Sequence, residues 1–432
     1  MTDVDFQNIS SHFFDLMVSS GDANSEVYAS EDIRDNTGEK LISSGQKITP
    51  DLKEQLMSRR LQKPLETLIT ANYIISSKDI SKEAYSLLEE YPAFKRIFLS
   101  AEKEASLLSE VDIAPLPALL LSVSKNQGKK AFRHTVLVTL VARLIGRKLR
   151  LEEHEMKMLT QAAVAHDIGE LYVDHGAALT ETRFTPEEWK QTMVHPKIGA
   201  LLVKHCTNYD PEVARAICEH HEREDGSGYP RKLVGGQISP LGKVLMVSEL
   251  LAGVLLKPNF PIRRALLVLR FMPEEFPKDV LNAVHRMVAE TAVFESEIEQ
   301  EFIQWERAKV VIDELAHFEQ SLTNFLATSG SIIELEVAKE AMEKIRKIRH
   351  AILNLGLALC LNPEQWESLK EDPVIRLEFD VATREIAWRL RDTSRAMVLS
   401  LAESNAKGTP VLRAIVERMS QVSLNEYDSI YE

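Results

Sequence analysis

Cysteine is scarce in this 432-residue chain: Cys206, Cys218 and Cys360 make an odd number with no CxxC pair. That excludes a disulfide framework and fits a reducing cytosol. Long apolar runs are also missing. Leu250–Leu256 and the stretch around Leu355–Leu361 fall well short of the roughly 20 residues a membrane helix needs. The opening MTDVDFQNISSHFFDLMVSS lacks the basic start and unbroken apolar stretch of a secretion signal. The expectation is a cytoplasmic protein with no membrane partner. Basic residues are in deficit too, 52 Lys and Arg against 65 Asp and Glu, a net charge of −13. This argues against a nucleic acid polymer as partner, because phosphate neutralisation needs clustered cations. It leaves room for a small nucleotide whose phosphates are held by a metal.

What is present is a globular composition, 44% apolar and 27% charged, at a length that suggests two or three domains. The stretch from Asn24 to Leu61 is turn-rich. Glu26–Tyr28 and Lys40–Ile42 read as strands flanking the turn Asp35-Asn36-Thr37-Gly38, and Thr49-Pro50 opens a helix. From Ser81 onward the signals are helical, with loops placed around Asp112–Pro117 and Ser124–Lys130. The apolar stripes over Phe294–Leu326, Ile332–Leu361 and Thr383–Ala402 read as a bundle, free to close on itself or on a second copy as a homodimer. The fold class is therefore mainly α. A small α/β N-terminal module (1–120) precedes an all-helical domain (121–290) and a C-terminal helical extension (291–432).

Eight of the twelve histidines lie between His134 and His221. Leu159, Ala162, Ala163 and His166 share one helix face, which puts His166 and Asp167 at the buried end of an amphipathic helix that Gly169 terminates. Asp210-Pro211 starts a helix whose stripe Val213, Ala216, Ile217 leads to His220, with His221 adjacent. His134 stands near the start of another apolar helix, and Thr185-Pro186 and Ser239-Pro240 are further cap-plus-proline starts. The helix from Pro240 to Leu256 is apolar on nearly every side, yet it carries Glu249. A buried carboxylate there needs a cation, a base or a proton. Imidazoles and carboxylates together suit Fe, Mn or Zn, and Asp167 beside His166 is placed to bridge two ions. On spacing alone the alternative of satisfied core histidines stays open.

The string His166-Asp167-Ile168-Gly169-Glu170, followed by His220-His221-Glu222-Arg223-Glu224-Asp225-Gly226-Ser227-Gly228-Tyr229-Pro230, resembles the HD-GYP family of HD-domain metal-dependent phosphohydrolases. The resemblance covers roughly Ala131 to Glu290. It implies two divalent ions, Fe or Mn, in a helical pocket, and hydrolysis of cyclic di-GMP to pGpG in bacterial second-messenger signalling. It further implies that His134, His166, Asp167 and Glu249 hold one ion. Asp167 would bridge to a second, held by His195, His220 and His221. The turn Gly226–Pro230 is similar to one that docks other signalling proteins.

The chain departs from the pattern at the substrate side. The family's HDIGK lysine is Glu170 here, a carboxylate in a catalytic position that would repel phosphate unless it turns away or binds a cation. Replacing Glu170 by Lys is therefore expected to raise turnover. The family's aspartate after GYP is Glu249, its RPYR string reads Lys257-Pro258-Asn259-Phe260, and its KPGKLT segment is replaced at Glu181–Thr185. Arg223 and Lys257 are the remaining phosphate contacts, and Lys130 in place of a glutamate speaks against a third ion. The expected function is a cyclic di-GMP phosphodiesterase of reduced activity. The alternatives are a non-catalytic nucleotide-binding or protein-binding regulator and a phosphohydrolase of another nucleotide.

Overall fold

The computed structural model describes residues 10–18, 26–91, 95, 100–174, 190–256, 262–289, 305–327, 330–357, 362–404 and 408–422. Lys257, the segment Glu181–Thr185 and the helix start at Thr185-Pro186 lie outside the described residues. Among those described there are seventeen α-helices and two small antiparallel strand pairs, so the mainly α expectation holds. No single described helix is long and apolar enough to cross a membrane. The chain divides into two compact units, residues 1–252 with 275–292, and residues 253–274 with 293–432.

The first unit opens with α1 (Ser11–Val18) and four strands, β1 (Val27–Ala29), β2 (Ile33–Arg34), β3 (Lys40–Ile42) and β4 (Ile69–Ala71). The turn at Asp35–Gly38 forms as expected: Asp35 Oδ1 accepts from the Thr37 amide at 2.9 Å and hydroxyl at 2.6 Å, and from the Glu39 amide at 3.0 Å. It joins β2 to β3, however, and the strand read at Glu26–Tyr28 pairs elsewhere. Val27, Tyr28 and Ala29 oppose Ala71, Thr70 and Ile69 of β4, a strand the sequence reading did not contain. A tight turn pairs only the residues next to it, which are Ile33 and Arg34. After Thr49-Pro50 comes a short 3₁₀ turn and then α2 (Lys53–Met57).

Next come α3 (Ser77–Glu90), α4 (Ala101–Leu107), α5 (Pro115–Gln127), α6 (Lys129–Leu149) and α7 (Glu153–Ala165). The loops expected at Asp112–Pro117 and Ser124–Lys130 are mostly helix. Pro115 and Pro117 sit in the first turn of α5, where a missing N–H costs nothing, and the second break is the single residue Gly128 between α5 and α6. Beyond a 3₁₀ turn over Ile168–Tyr172 lie α8 (His195–Cys206), α9 (Pro211–Glu219) and α10 (Pro240–Leu255). α11 (Ile262–Phe271) belongs to the second unit, and α12 (Lys278–Ala289) belongs to the first, where it packs on α6.

The register of α6 is held by a buried ion pair. Glu104 on α4 accepts from Arg143 Nε at 2.8 Å and from Arg147 Nε at 3.1 Å, and Arg143 also donates to Thr160 of α7 at 2.9 Å. Removing one member of a buried pair strands the other charge. Glu104→Leu would leave the buried Arg143 without a carboxylate and should therefore cost about 3 kcal/mol of stability, read as a fall in the urea midpoint, and Glu104→Leu with Arg143→Met should recover most of it.

The second unit also contains α13 (Trp305–Leu326), α14 (Ile332–Asn354), α15 (Pro363–Leu369), α16 (Pro373–Glu403) and α17 (Pro410–Ser420). Their apolar stripes close on a common core that includes Phe318, Leu322, Ile345, Ile386 and Leu390. The helix expected from Thr383 starts ten residues earlier. Asp372 caps it by accepting from Val374 N at 2.8 Å and Ile375 N at 3.3 Å, with Pro373 in the first position.

Candidate metal centre

Five elements of the first unit deliver the expected side chains. His134 projects from the first turns of α6, and Glu249 from the buried face of α10. His166 and Asp167 follow the end of α7, His195 is the first residue of α8, and His220 and His221 follow the end of α9. The cap-plus-proline starts form as read: Asp210 Oδ1 accepts from Glu212 N at 2.9 Å, and Ser239 Oγ from Gly242 N at 3.0 Å. Gly169 has a different task from the one expected. α7 ends before it, at Ala165, and a Cβ on Gly169 would lie 2.1 Å from the His195 carbonyl oxygen. Its missing side chain lets the 3₁₀ turn press against the start of α8. From the other side, Tyr172 of that turn stacks on Phe13 at 4.7 Å and donates to Glu66 Oε1 at 2.7 Å.

The seven predicted ligands fall into two groups that share Asp167. One is His134, His166, Asp167 and Glu249; the other is Asp167, His195, His220 and His221, and within each group the donor atoms lie within 4.8 Å of one another. Asp167 Oδ2 is 3.0 Å from His166 Nε2 and 3.8 Å from His134 Nε2. Its Oδ1 is 3.5 Å from both His195 Nε2 and His220 Nε2. Glu249 Oε2 reaches His134 Nε2 at 2.9 Å and His166 Nε2 at 3.1 Å. The longer carboxylate at position 249 therefore reaches the same place an aspartate would have to serve.

Three imidazoles are held in the same way. His166 Nδ1 lies 2.8 Å from the Ala163 carbonyl, His195 Nδ1 2.7 Å from that of Thr192, and His220 Nδ1 2.6 Å from that of Ile217. Each partner is three residues earlier and accepts only. Nδ1 must therefore carry the hydrogen, and Nε2 presents its lone pair to the centre. The result is unfavourable without positive charge. His195 Nε2 and His220 Nε2 face each other at 3.2 Å. His166 Nε2 is fully buried and makes no hydrogen bond, although Asp167 Oδ2 stands 3.0 Å and Glu249 Oε2 3.1 Å from it.

The electrostatics point the same way. Burial alone would lower the pKa of His195, but the Glu170 carboxylate outweighs it and holds the imidazole up at about 9. His166 is raised well above the ordinary histidine range because Asp167 and Glu249 overcome its burial. Against the same burial, His166 holds Asp167 and His134 holds Glu249 well below the carboxylate range. His220 and His221 shift downward, through burial and then the neighbouring imidazoles. The carboxylates thus favour positive charge in the pocket, and two imidazoles resist taking it as protons. A divalent cation satisfies both, so the donor set fits a metal.

The other expected residues are placed as follows. Glu170 turns onto His195, with Oε1 2.6 Å from Nδ1, and away from the shared face of the ligands. Arg223 packs its guanidinium over Phe276 at 5.4 Å and donates to its neighbour's carbonyl, Glu222 O, at 2.9 Å. Three residues support the ligands, and two of them, Glu219 and Glu222, had no assigned role in the sequence reading. Glu219, fully buried, accepts from Arg215 at 3.0 Å, Arg231 at 2.8 Å and the Ser239 amide at 2.7 Å, tying the end of α9 to the start of α10. Gly242 leaves it room. Glu222 accepts from the amides of Arg231 at 2.7 Å and Leu233 at 2.8 Å, closing the loop that follows the ligands. Tyr229, within that loop, stacks on His221 with centroids 4.7 Å apart. A buried glutamate one residue before a ligand pair is the signal that could have marked Glu219.

Comparison with known families matches residues 116–274 to the HD domain, the stretch that contains all seven ligands. That stretch is an HD domain. Its HD domain is 34% identical over 116 residues to the cyclic di-GMP phosphodiesterase response regulator RpfG of Xanthomonas campestris, covering 27% of this chain and 31% of the relative. It is 27% identical over 158 residues to a cyclic di-GMP phosphodiesterase of Thermotoga maritima, covering 36% and 43%. A 3'3'-cGAMP-specific phosphodiesterase of Vibrio cholerae is 27% identical over 117 residues, covering 27% and 25%. These matches span less than half the length of each relative.

Proposed function

We propose that the HD domain is a two-metal phosphodiesterase that opens cyclic di-GMP to linear pGpG. The observation that carries this reading is Asp167, whose two oxygens face two separate ligand groups. The relatives named for cyclic dinucleotide hydrolysis support the substrate class. Bound divalent ions supply Lewis-acid charge to phosphoryl oxygens and a water acidic enough to deprotonate near neutral pH. The open donor set of imidazoles and carboxylates suits Mn or Fe, and the cytosol implied by the scarce cysteines keeps such ions reduced.

The chain's own residues hold the rest. The Nδ1–H bonds of His166, His195 and His220 fix their Nε2 atoms toward the centre before any ligand arrives, so little reorganisation accompanies binding. Arg223, held over Phe276, is the candidate contact to a substrate phosphate or guanine face. Lys257 is proposed for the same role. Glu170, engaged with His195, neither grips phosphate nor moves a proton in this arrangement. With Glu170 acidic and Arg223 the candidate described cation, a weak grip and slow turnover are expected.

The test is direct. Purified protein loaded with Mn²⁺ is given cyclic di-GMP, and pGpG is sought by chromatography, with His166→Ala as control and 3'3'-cGAMP as a parallel substrate. The expected result is pGpG formation that the substitution removes. No turnover despite bound metal would exclude the hydrolase reading, and cleavage of 3'3'-cGAMP alone would reassign the substrate. Loading is also expected to raise the thermal midpoint. At free Mn²⁺ of 100 times its Kd the linkage term is about 2.7 kcal/mol per site, and EDTA should reverse it in a melting scan.

A further inference from the structure

We infer that Glu170 is a positioning residue for the second ligand group: its carboxylate accepts from His195 Nδ1–H and strengthens and aims Nε2 toward the cation shared with Asp167, His220 and His221. The inference rests on the metal-centre reading above and concerns how one of its ligands is tuned.

His195 is treated differently from its companions. The rings of His166 and His220 each give Nδ1–H to one backbone carbonyl. The ring of His195 has two acceptors around the same atom, the Thr192 carbonyl at 2.7 Å and Glu170 Oε1 at 2.6 Å. Among the described residues, His195 alone of these three has a carboxylate recorded at Nδ1. A carboxylate behind a ligating imidazole draws on its N–H and raises the electron density at the far nitrogen. A neutral carbonyl sets the tautomer but does this weakly.

The chain builds the contact from the backbone outward. Within the 3₁₀ turn the Glu170 amide donates to the Asp167 carbonyl at 2.9 Å, which puts Glu170 one short turn from the shared ligand. Gly169 then allows the turn to lie against His195 itself, since any Cβ would strike the His195 carbonyl and the Gly199 amide. The Glu170 side chain is 32% exposed and that of His195 only 2%, so the imidazole is the more deeply fixed partner of the contact. The geometry also reverses the expectation that a lysine at this position raises turnover: an ammonium would set a donor against the Nδ1–H donor.

The experiment uses the full chain and Mn²⁺ alone. Metal affinity is measured by calorimetric titration for the wild type, Glu170→Gln, Glu170→Ala and Glu170→Lys, with His166→Ala as the control for the other ligand group. Loss of such a carboxylate typically weakens metal binding about 10- to 100-fold, so Glu170→Ala should fall in that range. Glu170→Gln, which keeps an acceptor without the charge, should recover part of the loss, and Glu170→Lys should lose most. The ¹⁵N shifts of the His195 ring in metal-free protein give a second readout. They should show Nδ1 protonated, with Nδ1–H less strongly hydrogen-bonded in Glu170→Gln. Wild-type affinity in all three variants, or an unchanged Nδ1 shift in folded Glu170→Ala, would overturn the inference while leaving the metal centre standing. A wild type that takes up no Mn²⁺ would overturn the metal centre, and this inference with it.

Discussion

Asp167→Asn should empty both ligand groups at once. The side chain is the one donor the groups share, with Oδ2 directed at His166 and Oδ1 at His195 and His220. An amide of the same shape keeps one oxygen and replaces the other by two N–H donors, which point at whichever cation site they face. It would also remove negative charge that would partly neutralise the bound cations. A bridging anion of this kind supports several kcal/mol of transition-state stabilisation, and about 4 kcal/mol is roughly 10³-fold in rate. The expected outcome is a loss of about that size in pGpG formation, with bound Mn²⁺, measured by elemental analysis, falling for both sites. Loss confined to one site would show that the groups act independently. By contrast, His134→Ala touches only one group and should leave the other's metal in place.

Gly169→Ala should be a severely damaging small substitution. The added carbon would lie 2.1 Å from the His195 carbonyl oxygen and 2.8 Å from the Gly199 amide nitrogen. Both are backbone atoms, so relief requires separating the 3₁₀ turn from α8 and not merely rotating a side chain. Overpacking of this kind costs about 3 kcal/mol or more. The displacement would carry Asp167 and Glu170 away from His195, so weaker Mn²⁺ binding is expected at the His195 group in addition to a lower melting temperature. Gly199→Ala supplies the comparison. There the nearest atom is the Ile217 side chain at 3.3 Å, which can yield, and a much smaller loss is expected. Equal effects from the two substitutions would show that this close approach does not hold the site.

These expectations draw on different depths of the sequence. His166, Asp167, His220 and His221 were legible because a polar pair at the end of an apolar stripe has few bland explanations. Glu249 was legible because a carboxylate on an otherwise apolar helix demands a partner, and it finds His134 and His166. His195 was not. It begins α8, where periodicity says nothing, and only resemblance supplied it. Glu170 was readable as a departure, but its direction depends on a contact between a turn and a helix start that no local pattern encodes. The same limit explains the strands. The Asp35 turn was visible in its own residues, whereas the pairing of Val27–Ala29 with Ile69–Ala71 joins segments some forty positions apart. Helix boundaries differ for a local reason: the prolines at 115, 117 and 373 each sit in a first turn, where proline begins a helix and does not break it.

The imidazoles of His166 and His220 draw a benefit from where their helices stop. The last four carbonyls of an α-helix have no amide of their own turn to accept, and burying them unanswered is costly. Ala163 belongs to that frayed quartet on α7, and Ile217 to the one on α9. Each ring answers an otherwise idle oxygen, and the same bond decides which of its nitrogens stays bare. Mid-helix, that oxygen would already be spoken for, and the ring would be free to settle in either proton form. Chain termination and ligand preparation are thus one event at both places, so lengthening α7 or α9 by a turn should disarm the ligand without altering a single coordinating residue.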